Sequence, residues 1–479
     1  MIADFLSEQE INDWKPFALS DEGMSPLMRA RRRMERQGQR TDGQLLGRRF
    51  AIGCVALEIT QRCNLDCTYC YLSESSEALK DIPLEEVCRR IDMIHAHYGT
   101  NTDIQITGGD PTLRKRDELV AIVRYARQKG LRPSLYTNGI RATRELLAEL
   151  CDAGLVDVAF HVDLTQERKG FETEASLNRV RTDYIQRARG LPLSVFFNTT
   201  IYPGNFHEIP GLVKFFIQHS DVVRLCSFQI GADTGRGSDR ERVTINPEPV
   251  MDAIRTGAGC ALNFDAVSAG HRECNRYSYG LVVNGKVYDF LREAELVAGV
   301  MAKTVDVEFD RQDKRKTVLR MVRAMAGQPL LFLKVARRAV EFAWQARNDL
   351  LAARGRVGKI SFFVHNFMDA SRLDRERCES CAFMVMTPSG PMSMCVHNAK
   401  RDDYLLVPSE IKHGNRSLYW NPTSGQTHES KPGRIEVRLS TKTARGRAKA
   451  GASGTELAAA KIRDPMSSDL SLPLLQAKL

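Results

Sequence analysis

The sequence predicts an α/β fold, built as a partial (β/α)6 TIM-like barrel. Three observations predict it. Six short runs rich in β-branched and aromatic residues recur between Cys54 and Ile230. A helical pattern separates each run from the next, the alternation that builds a parallel sheet. The unusual polar and cysteine residues fall where the runs end, and ligands of such sheets gather at the carboxyl ends of the strands. Six units are too few for a full eight-stranded barrel, so an open or partial one is expected.

The elements follow in order. CVALEIT (54–60) is the first strand, and a cysteine loop leads from it to a helix at 84–98. DIQIT (103–107) precedes a helix near 115–129, and LRPSLYT (131–137) precedes one at 142–152. VDVAFHV (156–162) leads to a helix around 176–189, and LPLSVFFNTT (191–200) to one at 208–219. DVVRLCSFQI (221–230) closes the series. This barrel is placed at 51–245, after an N-terminal helical and basic extension at 1–50. A bridging segment at 246–310 contains a hairpin at 281–290, with Asn284-Gly285 as its turn. Residues 311–356 read as basic amphipathic helices broken near Gly327-Gln328-Pro329. Residues 357–430 carry the second cysteine group and short strands at 357–365 and 382–396. Residues 431–479 read as a loosely ordered basic tail.

Composition bounds the classes. The chain has 479 residues, of which 43% are apolar, enough for a true core. Twelve cysteines are too sparse for a disulfide scaffold of this size. The N-terminus has no continuous apolar segment, so it does not read as a secretory signal. No run approaches 18 uninterrupted apolar residues. A cytoplasmic location is expected. The net charge of +10 raises nucleic acid as a partner, but no zinc-finger, helix-turn-helix or RNP pattern supports it. The charge is also uneven. Residues 29–49 carry +6, residues 311–356 carry +9 and residues 441–479 carry +4, which leaves −9 for the rest. That distribution points toward an anionic lipid surface or an acidic redox protein rather than nucleic acid.

Two cysteine groups carry the chemistry. Cys63, Cys67 and Cys70 have the spacing C-x3-C-x2-C. Three thiolates on a tight loop hold three irons of a [4Fe–4S] cube and leave the fourth open to an external molecule. Zinc and unliganded thiols are the alternatives. Cys378, Cys381 and Cys395 form the second group, C-x2-C and a thiol 14 residues on. Cys274 is the chosen fourth ligand of an auxiliary [4Fe–4S] cluster. Cys260 is its rival, and a zinc site, with His397 as one candidate fourth ligand, stays open. Cys54, Cys88, Cys151 and Cys226 read as core residues.

The first group resembles the cluster loop of radical S-adenosylmethionine (SAM) enzymes, including the aromatic Tyr69 before the third cysteine. The turn after the second strand, ITGGDPTL (106–113), strengthens the likeness. Gly108, Gly109, Asp110 and Pro111 match the motif that receives the methionine amino group of SAM, with Asp110 where Glu is commoner. The resemblance covers about residues 50–240. It implies reductive cleavage of SAM to a 5′-deoxyadenosyl radical, which abstracts hydrogen from a substrate. It also implies a reducing donor such as flavodoxin or ferredoxin. Thr137, Asn138 and Gly139 are then placed to contact SAM, His161 and Asp163 to face SAM or substrate, and Gln229 and Asp233 to lie over the same mouth. Ordinary turn and strand-end roles for Asn138 and His161 stay open.

Residues 365–398 and 271–290 are further similar to the archaeal tetraether-lipid synthase group. His365, Phe367, Met368, Asp369, Asp374, Arg377, Cys378, Pro388, Gly390 and Cys395 fit that pattern, which supports Cys274 as a ligand. Residues 1–53 lack the extra cysteine pairs of that group. The resemblance implies an apolar, lipid-like substrate and C–C bond formation. Radical methylation of a small molecule, radical maturation of a ribosomal peptide and a non-catalytic iron–sulfur role are the alternatives. The basic helices at 311–356 read either as a cap packed on the barrel or as a peripheral contact with an anionic membrane at its inner face.

Overall fold

The computed structural model describes residues 4–19, 23–234, 245–307, 314–413, 416–433, 435 and 437. The expected tail beyond residue 440 lies outside the described residues. The strands β1 (Cys54–Thr60), β2 (Asp103–Gly108), β3 (Arg132–Thr137), β4 (Asp157–His161), β5 (Ser194–Ile201) and β6 (Val223–Ile230) run parallel, each beside the next. Helices Leu84–Tyr98, Arg116–Gln128, Arg144–Ala153, Asn178–Ala188 and Ile209–Gln218 connect them.

Local chemistry sets these boundaries. All seven residues of β1 are buried, as expected of a strand covered on both faces. The helix after it buries Val87, Ile91 and Ile94 against the sheet, one stripe at helical spacing. Each such aliphatic side chain contributes roughly 1.5–3 kcal/mol on leaving water. The next-but-one helix starts where the Thr143 hydroxyl accepts from Leu146 N, and stops at Gly154 in the left-handed region.

The sheet continues past β6. Strands β7 (Asn275–Val283), β8 (Lys286–Asp289), β9 (Gly358–Asn366), β10 (Phe383–Thr387) and β11 (Gly390–Ser393) join it. The order is β11-β10-β1-β2-β3-β4-β5-β6-β9-β7-β8. β9 pairs parallel with β6 and β10 pairs parallel with β1. Eight parallel strands therefore form the body, where the sequence predicts six. The cause is topological. Helix Pro247–Ala258, the β7–β8 hairpin and a helical insertion separate β6 from β9, so no local rhythm announces the pairing. Residues 367–382 then carry the chain from one end of the parallel body, β9, to the other, β10. These two strands approach closely, since the Phe383 ring lies 4.6 Å from that of His365 and 5.8 Å from that of Phe363.

The hairpin turns at Asn284 and Gly285, both with positive φ, as a type I′ turn requires. The insertion forms helices Lys314–Met325, Pro329–Gln345 and Arg347–Ala352. A small antiparallel sheet of Ser409–His413, Arg416–Trp420 and Thr427–His428 has no counterpart in the sequence reading. Among the described residues, no helix is long and apolar enough to cross a membrane.

Candidate active site

Alternate residues of each strand face the barrel interior. Asp157, Ala159 and His161 of β4, Phe196, Asn198 and Thr200 of β5, and Leu225, Ser227 and Gln229 of β6 line one cavity of about 730 Å³. Cys63, Cys67 and Cys70 line the same cavity from the loop after β1. That loop is tied across the mouth by Thr68 N, which donates to Thr165 O at 2.7 Å.

Gly108 and Gly109 also line the cavity. A Cβ on Gly108, which has φ of +124°, would fall 2.0 Å from Thr60 O. One on Gly109 would fall 1.9 Å from Arg62 O. Neither backbone oxygen can yield, because Gly109 N donates to Thr60 O and Asp110 N to Arg62 O, both at 2.8 Å. The two glycines thus let one turn press against the chain that leads into the cysteines. Pro111 is buried and opens the short helix Pro111–Leu113.

Asp110 is only 1% exposed, and its carboxylate is occupied by the chain itself. It accepts from Thr112 N at 3.0 Å, Thr112 Oγ1 at 2.5 Å, Thr137 Oγ1 at 2.8 Å and Asn138 N at 2.9 Å. Asp110 therefore joins the turn after β2 to the turn after β3. Asn138 is held so that its Nδ2 donates to Asn64 Oδ1 at 2.7 Å and lies 3.8 Å from Cys63 Sγ. Gly139 has φ of +81°, and a Cβ there would meet the Tyr184 ring at 2.2 Å.

His161 Nε2 lies 2.7 Å from Asp163 Oδ2 and 3.2 Å from Thr200 Oγ1. Asp163 is fully buried and also accepts from Thr165 N at 2.9 Å and Thr200 N at 2.7 Å. Burial opposes charge on both groups, but their attraction and these donors win. His161 is held above its ordinary pKa and Asp163 below its own. Gln229 stands beside His365 in register. Asp233 lies further out. Its backbone N donates to Asp369 Oδ1 and its O accepts from Ala370 N, both at 2.7 Å. Tyr69 packs on Gly231, where a Cβ would lie 3.1 Å from its ring, and 5.7 Å from Tyr202.

Several residues at this cavity carry no sequence signal of the usual kind. Glu58 of β1 pairs with Arg401 at 2.5 Å, both nearly inaccessible. Burial would raise the Glu58 pKa, but Arg401 and then His397 pull it down to about 2. Arg401 also lies over the Tyr71 ring at 4.6 Å, and Tyr71 OH donates to Gly108 O at 2.9 Å. The C-terminal region thus braces the cysteine loop from behind. An acid inside an otherwise apolar strand was the available clue to Glu58, because a buried charge requires a partner. At the cavity floor, Arg132 lies 3.4 Å from Asp103. Asp157 is pushed up to about 7 by burial and then by Asp103.

The second cysteine group also gathers. Cys274, Cys381 and Cys395 line one small cavity with His365 and Arg377, and Cys378 is buried beside them. Arg377 Nε donates to Cys274 Sγ at 3.2 Å. Burial, then Cys381 and Cys274, push the Cys395 thiol up to about 12. Cys260 lies elsewhere, packed against the barrel core. His397 stacks on Tyr404 at 5.8 Å, away from the group.

Both sites fit thiolate-held clusters in donor type. The first loop presents three thiols to an open cavity, with an amide nitrogen beside Cys63. Among the described residues, no three His, Cys, Asp or Glu side chains converge as ligands of a single ion do. Thiolates around a cube bind separate irons and stand further apart.

A mostly parallel α/β barrel with a three-cysteine loop and a glycine turn at its carboxyl ends is the layout of a radical SAM domain. Residues 57–216 match the family model described as the Radical SAM superfamily, which supports membership for this part of the chain. Over 166 residues the chain is 31% identical to "PqqA peptide cyclase" of Bradyrhizobium diazoefficiens, covering 34% of this chain and 43% of that protein. It is 28% identical to "Fe-coproporphyrin III synthase" of Methanosarcina barkeri, covering 42% of this chain and 49% of that protein. It is 27% identical to "7,8-dihydro-6-hydroxymethylpterin dimethyltransferase" of Methanocaldococcus jannaschii, covering 40% of this chain and 39% of that protein. The chain thus spans less than half the length of these relatives. The family match covers neither residues 271–290 nor residues 365–398, on which the expected likeness to lipid synthases rests.

Proposed function

We propose that this chain is a radical SAM enzyme that acts on a peptide. Cys63, Cys67 and Cys70 hold a [4Fe–4S] cube, and Cys274, Cys378, Cys381 and Cys395 hold an auxiliary [4Fe–4S] cluster. The observation that carries the reading is the meeting of the cysteine loop and the Gly108–Gly109 turn at one cavity. When bound there with SAM, the cube supplies the electron that splits SAM into methionine and a 5′-deoxyadenosyl radical.

The chain's own residues do the rest. The Gly108 and Gly109 backbone receives the methionine end of SAM, at a turn that Asp110 locks to Asn138. His161, whose pKa Asp163 raises against the opposing effect of burial, stands at the end of β4 facing the cavity. Phe196, Leu225, Phe363 and Phe383 form an apolar wall that keeps water from a reactive carbon radical. Electrons come from a small acidic carrier such as flavodoxin or ferredoxin, and the enzyme works in the cytoplasm.

The peptide reading draws on the similarity to a peptide cyclase over 166 residues. A second reading, C–C bond formation on a lipid or other long apolar substrate, is favoured by one observation, the exposed apolar side chains of residues 318–351. The test is anaerobic incubation of the reconstituted enzyme with SAM, dithionite and any short peptide encoded beside its gene. A SAM-dependent loss of hydrogen from the peptide, seen by mass spectrometry, supports the proposal. An unchanged peptide together with a new product from cell lipid or pterin extracts overturns it.

A further inference from the structure

The insertion between β8 and β9 plays no part in the site described above. Its inner side is firmly seated. Asp349 accepts from Asn284 Nδ2 at 3.0 Å, Lys286 Nζ at 3.0 Å and Tyr288 OH at 2.7 Å. Phe342 meets Tyr288 edge-on at 5.6 Å, and Arg338 donates to Asp289 O at 2.9 Å. The β7–β8 hairpin thus fixes the helices in place.

The outer side is the anomaly. Leu330, Leu333, Val340 and Trp344 are 77%, 62%, 69% and 69% exposed. At 3.6 residues per turn they fall within about 80° of one another around helix Pro329–Gln345. Val318 and Leu319 on helix Lys314–Met325 are 59% and 50% exposed. Fourteen large apolar side chains are highly exposed among the described residues, and nine of them lie between 318 and 351. Isolated exposed apolar residues need no explanation, but a concentration of them marks a contact surface. Cations are interleaved with them. Residues 314–356 hold eleven Lys and Arg against two acidic residues, a net +9.

We propose that this face docks the enzyme on an anionic phospholipid surface. An apolar stripe with Trp, crossed by exposed Arg337 and its Glu341 partner and flanked by Lys334, matches a helix lying in the lipid interface. A protein partner fits less well, because interface cores are depleted of Lys, and here Lys334 sits beside Leu330 and Leu333. No described helix can span the bilayer, so the contact is peripheral. It holds whichever substrate the enzyme takes.

The test uses the full chain, purified anaerobically, in flotation with vesicles of phosphatidylglycerol and phosphatidylcholine or of phosphatidylcholine alone. The enzyme floats with the anionic vesicles, and salt weakens the binding. Leu333→Asp, Val340→Asp and Trp344→Asp together lower the partition at least a hundredfold, with the circular dichroism spectrum unchanged. Arg323→Gln with Lys334→Gln lowers it about thirtyfold, at about 1 kcal/mol per cation. This second variant removes no apolar contact and keeps the test valid if the first does not fold. Failure to float, equal flotation with both vesicle types, or variants that float like the parent overturn the proposal. So does a dimer by light scattering that the triple variant dissolves, which assigns the face to a second copy.

Discussion

Asp110 offers the sharpest test of how the proposed SAM end of the site is built. Asp110→Asn keeps the shape of the side chain and replaces one oxygen with an NH2. The carboxylate accepts from two backbone groups, Thr112 N at 3.0 Å on one oxygen and Asn138 N at 2.9 Å on the other. The hydroxyls of Thr112 and Thr137 can turn, but the two N–H groups cannot. The amide must therefore set a donor against one of them. One buried N–H is left without an acceptor, at about 1–3 kcal/mol, and the charge-assisted character of the remaining bonds is lost. The total is about 2–4 kcal/mol. Denaturant unfolding of the iron-loaded protein measures it, and SAM affinity measured in parallel reports the displaced Asn138. The expected result is a lower unfolding midpoint together with weaker SAM binding. Unchanged stability with SAM binding abolished would refute this reasoning, because the carboxylate would then touch SAM itself.

Three further expectations follow from the same geometry. Asp163→Asn removes an ion pair whose His161 pKa is raised and whose Asp163 pKa is lowered. The pair's contribution is fully present between the ordinary carboxylate and imidazole values and fades as pH rises through the raised His161 value. The stability gap between parent and variant should therefore be larger at pH 5.5 than at pH 9, and an equal gap at both contradicts the assignment. Gly109→Ala places a Cβ 1.9 Å from Arg62 O, whereas Gly211→Ala meets nothing within 4 Å. The first should lose iron at the Cys63 loop and the second should bind as the parent does, read by iron assay. Replacing Cys63, Cys67 and Cys70 together with Ala should leave about half the iron, and adding Cys378→Ala should remove the remainder. Complete loss of iron on the first step would show that one cluster was present.

Much of the barrel was legible because its signals are local. β1 to β6 are short β-branched runs, and each is followed by a helix that buries an apolar stripe. β9 and β10 were expected as short strands, but nothing local placed them in the parallel sheet. Neither GKISFFVHN nor FMVMT precedes a barrel helix in the expected rhythm, and their partners lie far away in the chain. The same limit applies to the site. Asp110, Thr137 and Asn138 could each be marked from its own motif, yet the carboxylate that joins them acts across 27 and 28 residues. Arg401 had no motif at all, and only the strand fold brings it to Glu58, 343 positions away. Composition gave the basic charge of residues 311–356, but exposure on a seated helix is a tertiary fact. It separates an outward apolar stripe from an ordinary buried one.

The central claim is that the Cys63 loop and the glycine turn form a SAM-cleaving site. The most direct measurement is 5′-deoxyadenosine released by the anaerobically reconstituted protein with SAM and dithionite, compared with Cys67→Ala. The parent should release it only when reductant is present, and the variant should release none. Absence of 5′-deoxyadenosine from a parent with its Cys63 loop loaded with iron, or equal release from the variant, would contradict it.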